Sequence, residues 1–173
     1  MTHPTPDHRP GSAAAPAVQL DATPSAASAA PAAAAPVPAA PAVPAHFQQF
    51  LAFDFGTKRT GCASGNRVLG GASPLRTIQA EGADARFAAV EKLIQEWQPQ
   101  ALVIGVPYPP DGASHENTAR ALKFGRQLRG RFGLQVFEVD ERYSTTEAHS
   151  LGAKDADAAS ACIILEQFLR NLP

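Results

Sequence analysis

The run "ALVIGV", residues 101–106, places six apolar residues in a row. A strand covered on both faces reads this way, because neither side has water to face. The run lies between two helical patterns. Residues 84–97 carry Phe87, Val90, Ile94 and Trp97 on one helical face, and Pro99 closes that segment. Residues 114–131 form a second helical segment, with Ser114 placed to cap it. "LQVFEV", residues 134–139, repeats the strand signature, and residues 155–169 line up Ala161, Ile164 and Phe168 on a last helix. Such alternation requires crossover connections, hence parallel strands with helices packed on the sheet faces.

Ahead of this unit stands "FLAFDF", residues 50–55, apolar on both faces except at Asp54. It predicts another central strand. "TGCASG" and "RVLGGAS" follow, with Gly65-Asn66 between them as a hairpin signal. The predicted order is β-β-β-α-β-α-β-α, a mixed five-stranded sheet with flanking helices, contained in residues 46–173. Residues 1–45 are mostly Ala and Pro and bury too little area to offset the ordering cost, which predicts a disordered tail. That tail lacks the apolar core of a secretory leader. No stretch is long and apolar enough to cross a membrane. Cys62 and Cys162 sit in apolar surroundings far apart in sequence, as expected of buried free thiols in a reducing cytoplasm. A net charge of −1 argues against a generally basic protein and leaves room for a local basic patch.

Four carboxylates fall near the carboxyl ends of the central strands, where sheets of this kind gather ligands. Asp54 ends the first strand, Asp140 and Glu141 follow the last one, and Asp157 lies in the first turn of the final helix. Asp157 shares a helical face with Ala161, Ile164 and Phe168 and so points toward the sheet. Each acid alone has a plain structural explanation: a turn residue, an ion pair with a nearby base, a helix-dipole partner. Together, like charges on one rim repel, which is costly without a cation. Oxygen donors with no Cys/His cluster suit a hard ion, Mg²⁺ or Mn²⁺.

Five segments in order resemble the YqgF family, also called RuvX: Holliday-junction-resolvase-like proteins and pre-16S rRNA nucleases with a ribonuclease-H-like fold. "DFGTKRTG" resembles the D-x-G-x-x-R-x-G opening, and "GASPL" the G-x-A-x-P-L segment. "VIGVP" followed by "DG" is similar to the G-L-P loop, "DERYST" to D-E-R-x-S-T, and "DADAASACIILEQFL" to the closing helix. The resemblance spans residues 48–171. It implies a metal site of Asp54, Glu141 and Asp157, with Asp140 as neighbour or substitute ligand, and phosphodiester cleavage of the two-metal type. Strand alternation puts Asp140 and Glu141 on opposite sides, and the twist of a strand end leaves the choice open. Arg59, the motif arginine, holds a phosphate or braces the acids. The sequence departs from the family at "SGN", where an aspartate is common, and in the short segment between Thr145 and Asp157.

The expected partner is nucleic acid, a structured pre-rRNA ahead of a DNA junction, with a ribosomal precursor particle as its setting and a monomer or homodimer as the assembly. Lys58, Arg59, Arg120, Lys123 and Arg142 are the candidate contacts. Tyr108 and Tyr143 are placed for base stacking or packing. Ser144 and Thr145 position the loop. The alternatives are a Holliday-junction-type resolvase and a non-catalytic nucleic-acid-binding ribosome or transcription factor. "DFGT" also fits the phosphate turn of actin-like ATPases, but the chain is too short for the two domains they use.

Overall fold

The computed structural model describes residues 42–108, 115–141 and 155–173. The expectations for the tail before residue 42, for Ser114 and for Arg142, Tyr143, Ser144 and Thr145 lie outside the described residues. The elements run β1 (Gln49–Phe55), β2 (Arg59–Asn66), β3 (Gly71–Pro74), β4 (Ile78–Gln79), α1 (Ala83–Trp97), β5 (Ala101–Val106), α2 (Glu116–Phe132), β6 (Gln135–Asp140) and α3 (Ala156–Arg170).

The strands form one sheet in the order β3-β2-β1-β5-β6, with β4 added beside β2. β1 is antiparallel to β2 and parallel to β5, and β5 is parallel to β6. This is the mixed α/β architecture with flanking helices that the element order implies. Among the described residues the sheet has six strands rather than five. β4 contributes two residue pairs to β2, Arg59↔Gln79 and Thr60↔Ile78, too few to leave an alternating pattern in sequence.

Alternation along the strands divides the core into two layers. Leu51, Phe53, Leu102 and Ile104 face α1 and α2, where they meet Phe87, Val90 and Leu128. Phe124 of α2 lies 6.2, 4.8 and 5.7 Å from the rings of Phe53, Phe55 and Phe87. Phe50, Ala52, Val103 and Phe137 face α3 and its Ala161, Ile164 and Phe168. α1 ends with Gln98 in the left-handed region (φ 46°), a C-cap whose N–H still donates to Ile94 O, and Pro99 keeps the helix from continuing.

The hairpin signal at Gly65-Asn66 is displaced. Both residues belong to β2, where Asn66 pairs with Gly71, and the turn is residues 67–70. Asn66 Oδ1 accepts the backbone N–H of Val68 at 2.8 Å, and Gly70 supplies the positive φ (64°) that closes the turn. Asn66 thus acts as the entry to a longer turn rather than as a central turn residue. β3 accordingly starts four residues after Arg67.

Candidate active site

β1, β5 and β6 run in one direction, so their carboxyl ends share one rim, and β2 begins there. Asp54 is the penultimate residue of β1 and pairs in register with Gly61 of β2. It shares the α3 face of the sheet with Phe50 and Ala52. Glu141 follows β6, and its backbone N–H donates to Val106 O at 3.1 Å. Phe137 and Val139 face α3. Glu141 continues that face, whereas Asp140 falls in phase with Val136, on the face of α1 and α2.

The open choice between the two acids is thereby decided at the level of contact: Glu141 meets Asp54. The two carboxyls share a hydrogen bond. Burial, the Asp54 charge and that bond push Glu141 up to about 8, with Asp140 adding a smaller repulsion. Burial and the charge of Asp157 raise Asp54 to about 6, against the opposing hydrogen bonds from Glu141 and Ser160. Both carboxyls are therefore held above the usual carboxylate range, as two acids in contact are when no counter-charge lies between them. Ser160, 5% exposed, aims its hydroxyl at Asp54 from the second turn of α3. Its position three residues after Asp157, on the helix face that carries Ala161, Ile164 and Phe168, is the available sequence signal.

Asp157 arrives from the other side. The start of α3 lies directly on β2, so close that a Cβ on Gly61 would overlap the Asp157 carbonyl. Its carboxylate is ion-paired with Arg59 Nε, and Arg59 also reaches Asp155 Oδ1 at 3.5 Å. Arg59 is bracing the acids. Asp155, which sequence reasoning passed over, organises this corner. It caps α3 by accepting from the N–H of Ala158 at 3.3 Å and takes the Thr77 hydroxyl at 2.7 Å. Burial pushes its carboxyl up, but these bonds and Arg59 outweigh it and hold Asp155 below the usual carboxylate range.

Lys58 is exposed on the turn beside Arg59. Buried Arg86 braces that turn from below, donating to Thr57 O at 2.5 Å and lying 4.8 Å from the centre of the Phe55 ring. Arg120 and Lys123 are exposed on α2, on the opposite face from the acids, and Arg120 pairs with Glu116. Farther along that helix, Arg129 donates to Val136 O at 3.1 Å and Arg131 covers the Phe87 ring. The basic strip is thus partly structural. Tyr108 is partly exposed and its hydroxyl meets Glu138 Oε2 at 3.4 Å. Both cysteines are free, and burial raises the Cys62 thiol to about 12.

The donor chemistry of Asp54 and Glu141 fits a hard divalent cation: two half-buried carboxyls meet where a cation would satisfy both. Among the described residues no three acidic, His or Cys side chains converge closely enough to hold an ion in this conformation. The third acid is the one that Arg59 engages.

The family model described as "RuvX: Holliday junction resolvase" matches residues 48–171. A Polaromonas protein named "Putative pre-16S rRNA nuclease" is 69% identical over 135 residues, covering 76% of this chain and 97% of the relative. One of the same name from Albidiferax ferrireducens is 65% identical over 130 residues, covering 75% of this chain and 83% of the relative. The solved structure of T. thermophilus RuvC in complex with Holliday junction substrate aligns with a TM-score of 0.47 at 15% identity, over 70% of this chain and 93% of that chain.

Proposed function

The chain belongs to the RuvX family, and on that premise we propose that it is a metal-dependent nuclease that matures the 5′ end of pre-16S rRNA in the cytoplasm. The observation that carries the reading is the half-buried Asp54–Glu141 pair at the end of the central strand, inside the matched segment. The names of the Polaromonas and Albidiferax ferrireducens relatives favour ribosomal RNA as the substrate.

Asp54 and Glu141 would hold Mg²⁺ or Mn²⁺, with Asp157 as a further ligand once Arg59 releases its carboxylate. When bound, such an ion activates water and stabilises the leaving oxygen of a phosphodiester. The rest of the chemistry falls to side chains of this chain. Ser160 holds the Asp54 carboxylate in one orientation by donating to it. Arg59, half exposed at the same rim, is placed to receive a phosphate oxygen when it leaves Asp157. Lys58 extends that positive lip toward solvent. Arg120 and Lys123, on the far face, are placed for phosphates beyond the scissile one.

The test is a cleavage panel with a structured pre-rRNA 5′ end, a single-stranded RNA and a DNA four-way junction, each with Mg²⁺ or Mn²⁺. The native chain is expected to cut the pre-rRNA, and Asp54→Asn to cut nothing while remaining folded. Preferential cutting of the junction would reassign the substrate to DNA. Equal cutting by both proteins would remove the acid pair from the chemistry.

A further inference from the structure

Asp54 is flanked by glycine on both sides of the sheet. Gly61 is its antiparallel partner on β2. On the other side, the register Phe53↔Ile104 brings Gly105 of β5 level with Asp54. Residues in one row of a sheet project to the same face, so the glycines open a bare strip across three strands, centred on the carboxylate, on the α3 side. Gly105 has no positive φ and sits within a strand whose other five residues are all fully buried apolar side chains. Nothing in its backbone asks for glycine, and glycine weakens a strand interior. Space is the remaining reason. A Cβ at Gly105 would overlap Glu141 Oε1 and come within 2.5 Å of both Glu141 Cδ and Ile164 Cδ1.

We infer that Gly105 is a positioning residue for the acid pair: by carrying no side chain, it keeps open the strip of sheet across which Glu141 reaches Asp54. The geometry explains how the acid that follows β6 meets one on β1 although β5 lies between them. The Glu141 side chain crosses β5 at its single bare position. Gly61 does the corresponding work for Asp157, since the first turn of α3 settles where a side chain would stand. An alanine at Gly105 forces the Glu141 carboxyl aside and separates the pair, leaving the strand pairing in place.

The test has one arm that is independent of the nuclease reading and one that rests on it. Gly105→Ala, Glu141→Ala and the double variant are compared by thermal unfolding in EDTA. In the native background Gly105→Ala is expected to lower Tm by about 4–8 °C, and by less than half of that when Glu141 is already alanine. An equal loss in both backgrounds overturns the inference, because the clash would then lie elsewhere. The second arm is Mn²⁺ titration by calorimetry, where Gly105→Ala is expected to bind at least about tenfold more weakly than the native chain. Unchanged Mn²⁺ affinity overturns the positioning role. A native chain that binds no Mn²⁺, with the Tm coupling intact, sinks the nuclease reading and leaves the assignment of Gly105 standing.

Discussion

Two carboxyls that touch inside a protein make the metal-free fold sensitive to pH in a definite direction. Asp54 is raised to about 6 and Glu141 to about 8. Between their unfolded and folded values the native state binds more protons than the unfolded chain, so stability falls as pH rises through that window. In EDTA, Tm is expected to drop between about pH 4 and pH 8, the range bounded by these shifts. Glu141→Gln removes one of the two titrations and should flatten the curve. A native Tm that climbs over the same range, or a Glu141→Gln curve parallel to the native one, would mean that the pair is not buried together. That Asp54 is charged within an apolar run was plain from "FLAFDF". That Glu141 rather than Asp140 meets it was not, because alternation gives their opposition but not which face the sheet presents to Asp54.

At the scale of elements, α3 carries the most consequence, since its first turn brings Asp157, its cap Asp155 and its second turn Ser160 to the rim. Asp155 ties that turn to Thr77 and Ala158. Asp155→Ala is expected to cost about 1–2 kcal/mol in urea unfolding, and Asp155→Asn much less, since asparagine caps nearly as well. Equal losses for both would shift the weight from the cap to the Arg59 charge. The helices and the buried strands were readable because each imposes a period on its apolar residues. β4 and the true turn of the β2–β3 hairpin were not. Two paired residues have no period, and Asn66 reads the same whether it lies inside a turn or opens one.

For the molecule as a whole, the proposed ion would join folding and ion binding in one linked equilibrium. Each carboxyl costs stability when ionised alone, and a bound cation would recover it. With Mn²⁺ at about 100 times its Kd, binding adds about 2.7 kcal/mol to the native state, enough to raise Tm by several degrees. The rise should be reversed by EDTA and absent from Asp54→Asn. A native Tm indifferent to Mn²⁺ would leave the half-buried pair without the counter-charge that the proposed chemistry needs.

Sequence alone determined that helices cover the faces of a mixed sheet, the order of elements along the chain up to one short strand, and the acids that lie near one rim. Those properties follow from local periodicity and from the rules of chain connection, which any reader of apolar spacing shares. Tertiary structure decided which acids touch, that Arg59 holds Asp157, and that Gly105 clears the way for Glu141. Such facts depend on the register between strands far apart in the chain and on the space left where a side chain is missing, and neither is written in the spacing of residues along one segment.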